Sequence, residues 1–288
     1  MINPAEFIHP EDASAMHKLN NIPGFVELSR KVMEHGYENY RYGLHMASTI
    51  QLSTTQLPHL YNKLPPLCRK LGMPIPEFYL ELKNKPNAAA SGIKRTYIRI
   101  TSGAYEYMND EEINALLAHE CGHIVCKHNL YRILIEYIRD FTKELNLIPK
   151  PVIHALMYWY RKSELSSDRC AALLTSPDAV VGMISHFAGG PESIIKDLNI
   201  KEWIMQANKY EMLTKGTWND KALQWISVME STHPFNATRV TEILKWGKTE
   251  EYKRLKAKIL ENSYKKCYNC NSFINDNWAY CKKCGTKL

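Results

Sequence analysis

Residues 109–126 read Asn109-Asp110-Glu111-Glu112-Ile113-Asn114-Ala115-Leu116-Leu117-Ala118-His119-Glu120-Cys121-Gly122-His123-Ile124-Val125-Cys126. Asn109, with Glu112 three residues on, has the form of a capping box, and Asp110 and Glu111 suit the positive end of a helix dipole. Ile113, Leu116, Leu117 and Ile124 then recur at helical spacing. The stretch predicts a helix that opens near Asn109 and packs along an apolar stripe. His119 and His123 stand four apart on it, so both imidazoles share one face. Cys121 falls between them and points into the core, and Cys126 and His128 are expected further along the same helix.

Two imidazoles at that spacing suit two nitrogen ligands of one zinc ion. Glu120, beside the first of them, can reach a water at the metal and is the candidate general base. Such a metal lowers the pKa of that water and polarises a carbonyl. A catalytic zinc needs a third protein ligand and keeps one position open. Glu164 and Asp168 are also four apart and share a helix face. Glu164 is read as the ligand, and Asp168 as the acceptor for a ligand histidine's ring N–H. The competing reading is a solvated carboxylate pair beside Arg161, Lys162 and Arg169, and spacing does not choose between them.

Working outward, residues 1 to about 70 read as helices with loops at Pro23-Gly24 and Leu64-Pro65-Pro66. Glu77–Leu82 alternates and reads as a strand. Asn87–Ser91 and Arg95–Thr101 read as two more, turned at Ser91-Gly92. From about 130 to 260 the pattern is mostly helical, with breaks at Pro149–Pro151, Pro177, Gly189–Pro191 and His233-Pro234. The fold class is therefore α+β and mostly helical, with a small sheet packed beside the His-Glu-x-x-His helix. The division expected is a helical extension over 1–70, a metal-dependent domain over 71–248, a helical linker over 249–264 and a terminal module over 265–288.

These motifs together resemble the HtpX-like and type-1 CAAX prenyl protease family of gluzincin metallopeptidases. Four elements carry the resemblance across roughly residues 70 to 245. They are His119-Glu120-x-x-His123; Glu164-x-x-x-Asp168; the stretch from Asn87 to Gly92; and Ser231-Thr232-His233-Pro234 followed by Arg239. The resemblance implies zinc ligands His119, His123 and Glu164 with Glu120 as base. It implies an edge strand of Asn87, Ala88 and Ala89 holding a peptide or protein substrate by main-chain hydrogen bonds. His233 and Arg239 become the non-ligand groups near the zinc, His233 donating to the oxyanion and Arg239 ordering Glu164 or the oxyanion. Well-known relatives carry membrane-spanning helices, and no run here reaches the ~18 to 20 apolar residues a span needs. That departure puts a prenylated or membrane-embedded substrate in doubt.

Cys267-x-x-Cys270 and Cys281-x-x-Cys284-Gly285 are two knuckles ten residues apart. They supply four thiolates for a closed, structural zinc in a four-cysteine ribbon. Tyr268, Phe273, Trp278 and Tyr280 are expected to form its small core. With one catalytic and one structural zinc, the chain needs two Zn2+. The remaining cysteines (Cys68, Cys121, Cys126 and Cys170) read as reduced thiols.

The composition is that of a globular protein, 45% hydrophobic and 23% charged over 288 residues. Net charge is +7, and five lysines against Asp276 place +4 of it in residues 264–288. The ribbon is thus open to contact with an acidic protein or a nucleic acid. The amino-terminal residues show no basic start followed by an apolar run, which gives a cytoplasmic expectation. Two other functions remain open. One is a SprT-like protease acting on DNA-bound proteins, with His128 or His154 in place of Glu164. The other is a non-catalytic adaptor working through the ribbon, for which an intact Glu120 has no use.

Overall fold

Asn109 caps the central helix as its sequence dictates. Its side chain accepts from the amides of Glu111 and Glu112 at 2.9 and 3.1 Å, and Glu112 Oε2 accepts from the Asn109 amide at 2.9 Å. The computed structural model describes residues 2–34, 36–141, 149–214, 236–263, 265–267, 269–270, 272–274 and 279–287. Ahead of the cap lie α1 (Pro10–Asn20), α2 (Phe25–Glu34), α3 (Tyr37–Ser48), β1 (Ile50–Gln51), α4 (Pro58–Tyr61), α5 (Leu64–Leu71), β2 (Glu77–Glu81), β3 (Ala88–Ser91), β4 (Tyr97–Thr101) and α6 (Ser102–Tyr107). The capped helix is α7 (Asp110–Val125). After it come α8 (Asn129–Phe141), α9 (Lys150–Leu174), α10 (Pro177–Gly189), α11 (Glu192–Ile195), α12 (Ile200–Thr214), α13 (Asn236–Trp246), α14 (Glu250–Ser263), β5 (Lys265–Lys266) and β6 (Phe273–Ile274). The architecture is mostly helical around one small mixed sheet, as the patterning implies.

The sheet has the order β1-β2-β4-β3. β2 and β4 run parallel, while β3 pairs antiparallel with β4 in the register Ala88↔Ile100 and Ala90↔Ile98. β3 is therefore an edge, and α7 packs beside it. Ile113, Leu116, Leu117 and Ala118 of α7 join Phe78, Ile98 and Ile100 of the sheet in the main core. Burying each leucine or isoleucine contributes about 1.5–3 kcal/mol. A second core gathers Leu19, Phe25, Tyr131, Leu156 and Trp159 from α1, α2, α8 and α9.

α7 ends earlier than periodicity suggests, so His128 is not on it. Lys127 turns left-handed at φ 61°. Its amide then bonds back to Ile124 O at 3.0 Å, and the His128 amide to His123 O at 2.9 Å. This pair of bonds is a Schellman closure, and it folds His128 back over the last turn of α7.

Candidate metal centre

Two long helices make the centre, and Gly122 lets them approach. A Cβ on Gly122 would stand 2.9 Å from Cys170 Cβ and 3.0 Å from Ser167 Cα on α9. A side chain there would push α9 away, so the glycine sets how near Glu164 and Asp168 come to the histidines. His119, Glu120, His123, Glu164 and Asp168 are all buried.

His119 Nε2 lies 3.1 Å from His123 Nε2 and 3.4 Å from Glu164 Oε2, and His123 Nε2 lies 3.3 Å from Glu164 Oε1. Ligand atoms at ~2.1 Å from one tetrahedral zinc stand roughly 3.4 Å apart. The three side chains thus match the edges of one metal's coordination shell, and their donor set is two imidazoles and a carboxylate. Asp168 and Arg239 stand directly behind them. His119 Nδ1 donates to Asp168 Oδ1 at 2.9 Å, and Arg239 grips the same carboxylate twice, Nε to Oδ2 at 2.8 Å and Nη2 to Oδ1 at 2.6 Å. Arg239 Nη1 is 3.7 Å from Glu164 Oε2, so its main hold is on Asp168. Burial pushes the Asp168 carboxyl up, but the Arg239 charge and these hydrogen bonds leave it below the usual range. Burial likewise opposes charge on His119, yet hydrogen bonds to Asp168 and Glu164 carry it up to about 9. His123 is pushed the other way, by burial and then by the Arg132 charge.

Glu120 turns toward the sheet, where Glu120 Oε2 accepts from the Ala90 amide at 2.6 Å. Asn87 O accepts from the Thr101 amide at 3.0 Å, so Asn87 faces β4. Antiparallel alternation then gives Ala89 to β4 and turns the main-chain groups of Ala88 and Ala90 away from it, the Ala90 amide toward Glu120. His233 lies outside the described residues.

Arg132 and Asp12, which the sequence did not single out, reach the same cluster, as does His128, which it offered only as an alternative ligand. Arg132 Nη1 donates to His123 Nε2 at 2.8 Å, and its guanidinium lies over Tyr160 at 5.1 Å. His128 Nδ1 meets His123 Nδ1 at 3.0 Å, and His128 Nε2 meets Asp12 Oδ2 at 3.0 Å. Arg132 lies beyond a helix break, and Asp12 is 111 residues upstream of His123, so no periodic signal links either to the motif.

The four ribbon cysteines form a second group able to hold a metal. Cys267 Sγ and Cys284 Sγ are 3.6 Å apart, as are Cys270 Sγ and Cys281 Sγ. Sulfurs at ~2.3 Å from one zinc stand roughly 3.75 Å apart. The hydrogen bond from Ser272 holds the Cys281 thiol down at about 6. Tyr280 is 59% exposed and not in the expected ribbon core. It pairs with Lys287 in an extended bridge, so the neighbouring Cys281 points inward and Tyr280 outward. Tyr268 and Trp278 lie outside the described residues.

No helix among the described residues is long and apolar enough to cross a membrane. A sequence profile described as Peptidase family M48 matches residues 55–247. The chain is similar to the plastoglobule-localized metallopeptidase 48, chloroplastic, of Arabidopsis thaliana, 28% identical over 260 residues, covering 87% of this chain and 74% of that protein. It is similar to a protease HtpX homolog of Tropheryma whipplei (strain Twist), 30% identical over 130 residues, covering 44% of this chain and 43% of that one. A further HtpX homolog, from Sulfurovum sp. (strain NBC37-1), is 40% identical over 67 residues, covering 23% of this chain and 24% of the other. The chain thus spans under half the length of the HtpX homologs it matches.

Proposed function

This chain belongs to peptidase family M48, and we propose that it is a zinc-dependent endopeptidase whose zinc ligands are His119, His123 and Glu164 and whose general base is Glu120. The observation that carries this reading is the convergence of the three ligand side chains, all buried and with ligand atoms within 4.8 Å of one another. Glu120 stands beside them and accepts from the Ala90 amide of β3. A bound zinc would supply Lewis-acid polarisation of the scissile carbonyl and a lowered pKa for the attacking water. Glu120 takes the proton from that water and returns it to the leaving amine nitrogen. Asp168 and Arg239 hold the His119 ring, and so aim its Nε2. The main chain of Ala88 and the Ala90 carbonyl, turned away from β4, pair with the substrate main chain, with Asn87 and Ala89 anchoring that strand to β4. His233 completes the reading as the oxyanion donor.

Nothing favours the SprT-like alternative. His128 spends both ring nitrogens on His123 and Asp12. His154 lines a groove with Ala15, Lys18 and Tyr158. Glu164 remains the best-supported third ligand. The ribbon zinc is read as structural, and the lysines around it as a contact for an acidic protein or nucleic acid. The division at about residues 70, 248 and 264 is part of the same reading, as is a cytoplasmic location, which cell fractionation tests.

Zinc content and cleavage of a quenched peptide, measured on the wild type, Glu120→Gln and Glu164→Ala, test the assignment. Two zinc ions are expected in the wild type and in Glu120→Gln, one for each group of ligands. Glu120→Gln should lose a factor of about 10^2–10^4 in kcat. Glu164→Ala should hold one zinc. Wild-type cleavage by Glu120→Gln would refute the base assignment.

A further inference from the structure

The ligand histidines His119 and His123 are supported in different ways. His119 rests directly on Asp168, a carboxylate of the motif helix α9. His123 has no carboxylate on Nδ1; it has another histidine. The hydrogens along that path can be placed from chemistry. Arg132 only donates, so His123 Nε2, 2.8 Å from Arg132 Nη1, carries a lone pair. The hydrogen of neutral His123 then lies on Nδ1 and is donated to His128 Nδ1 at 3.0 Å. His128 must accept there, so its own hydrogen is on Nε2. The group facing Nε2 at 3.0 Å is Asp12 Oδ2, a carboxylate oxygen that accepts. Every link has one direction, and the series leaves the lone pair of His123 on Nε2, the nitrogen that lies 3.1 Å from His119 Nε2 and 3.3 Å from Glu164 Oε1.

We propose that Asp12 and His128 are positioning residues for the metal centre: a carboxylate–histidine relay by which the amino-terminal helix α1 fixes the tautomer and ring plane of ligand His123. This rests on the zinc reading of His119, His123 and Glu164. Three further observations support it. Asp12, His128 and Ser166 are each 0% exposed. Asp12 is itself locked, because Ser166 Oγ donates to Oδ2 at 2.5 Å while accepting from the His9 amide at 2.9 Å. Trp159 packs edge-on to His128, with centroids 5.7 Å apart and planes at 79°, and so sets the ring plane. Stability alone gives poor reason for the arrangement. Asp12 Oδ1 is buried without a hydrogen-bond partner among the described residues, which is unfavourable for a carboxylate. Asp12 also lies outside residues 55–247, so a segment the family profile does not cover completes the centre.

Two measurements on the full chain test the relay. Long-range 1H–15N NMR of the zinc-loaded wild type reads ring hydrogens without any substitution. The expected pattern is N–H on Nδ1 of His123 and on Nε2 of His128; a hydrogen on Nδ1 of His128 overturns the proposal. Chelator competition then gives zinc affinity, with Glu164→Ala subtracting the ribbon's share. Asp12→Asn and His128→Gln should each weaken the wild-type affinity about 10–100-fold. KM for a peptide at saturating zinc should stay within about twofold, because neither residue faces the substrate edge. Wild-type zinc affinity in a folded Asp12→Asn chain sinks the relay alone. A wild type that binds no more zinc than Glu164→Ala sinks the zinc reading and the relay with it.

Discussion

The two candidate metal centres are built in opposite ways. At His119, His123 and Glu164 the ligands ride on long, buried helices, and both histidines are held by other residues: Asp168 and Arg239 behind His119, Asp12 and His128 behind His123. At Cys267, Cys270, Cys281 and Cys284 the ligands sit on turns beside two-residue strands, and Cys284 is exposed. In the first case the fold is expected to make the site; in the second a metal is expected to make the fold. Buried helices hold a ligand geometry whether or not an ion is present. A short ribbon cannot bury enough apolar surface to do so.

Chelation is the sharpest way to break that comparison, and it carries the largest expected effect. Structural zinc contributes about 10–16 kcal/mol of apparent binding free energy in small zinc modules. Stripping metal from the full chain should therefore collapse the amide dispersion of residues 265–287. The far-UV circular dichroism of the helical body should stay nearly unchanged, and its melting point should fall only by the linkage to a bound ligand. Cooperative loss of the whole helical signal on chelation would mean that the two centres do not differ in this respect.

A smaller effect is expected at Asp168. Asp168→Asn keeps the shape but offers His119 a neutral acceptor and leaves Arg239 without its carboxylate. Metal affinity at the buried centre should fall about 10–100-fold, while that of the four-cysteine group should stay unchanged. Metal titration with a chromophoric chelator resolves the two. Equal losses at both centres would show that the substitution acts through global folding.

The buried centre was legible in sequence where contact follows periodicity, and hidden where it does not. Asn109 and Glu112 announce the start of α7, and two four-residue spacings bring His119, His123, Glu164 and Asp168 together. The ribbon was legible from its two Cys-x-x-Cys pairs. β1 was missed because Ile50-Gln51 is too short for alternation to show. His128 was placed on α7 because nothing in Cys126-Lys127-His128 predicts that a lysine takes the left-handed turn a glycine normally fills. Asp12 carries no local signal, because its contact with His128 exists only after α1 packs along α9.

The smallest predicted effect asks whether the body of α7 owes its stability to packing and polar pairs independent of any metal. Glu112 caps α7 and also accepts from His186 Nε2 of α10 at 3.1 Å. Burial pushes the Glu112 carboxyl up, but the hydrogen bonds from His186 and the Asn109 amide leave it below its ordinary 4.5. Burial pushes His186 down, but the Glu112 hydrogen bond leaves it above its ordinary 6.5. A lowered carboxylate stabilises fully above the unfolded pKa and loses this as pH falls through the folded one. A raised imidazole stabilises fully below the unfolded pKa and loses this as pH rises through the folded one. Both contributions are complete between about pH 4.5 and 6.5, the ordinary values of the two groups. Glu112→Gln keeps an acceptor for the cap and removes only the charge. Its loss of stability should peak in that window, at about 1.5 kcal/mol, and shrink on either side. Chelator should leave the size of that loss unchanged, since neither residue touches a metal ligand. Urea unfolding from pH 4 to 8, with and without chelator, reads both. A pH-independent loss would show that the pair acts as a neutral hydrogen bond, and a chelator-dependent one that α7 is held partly by its metal.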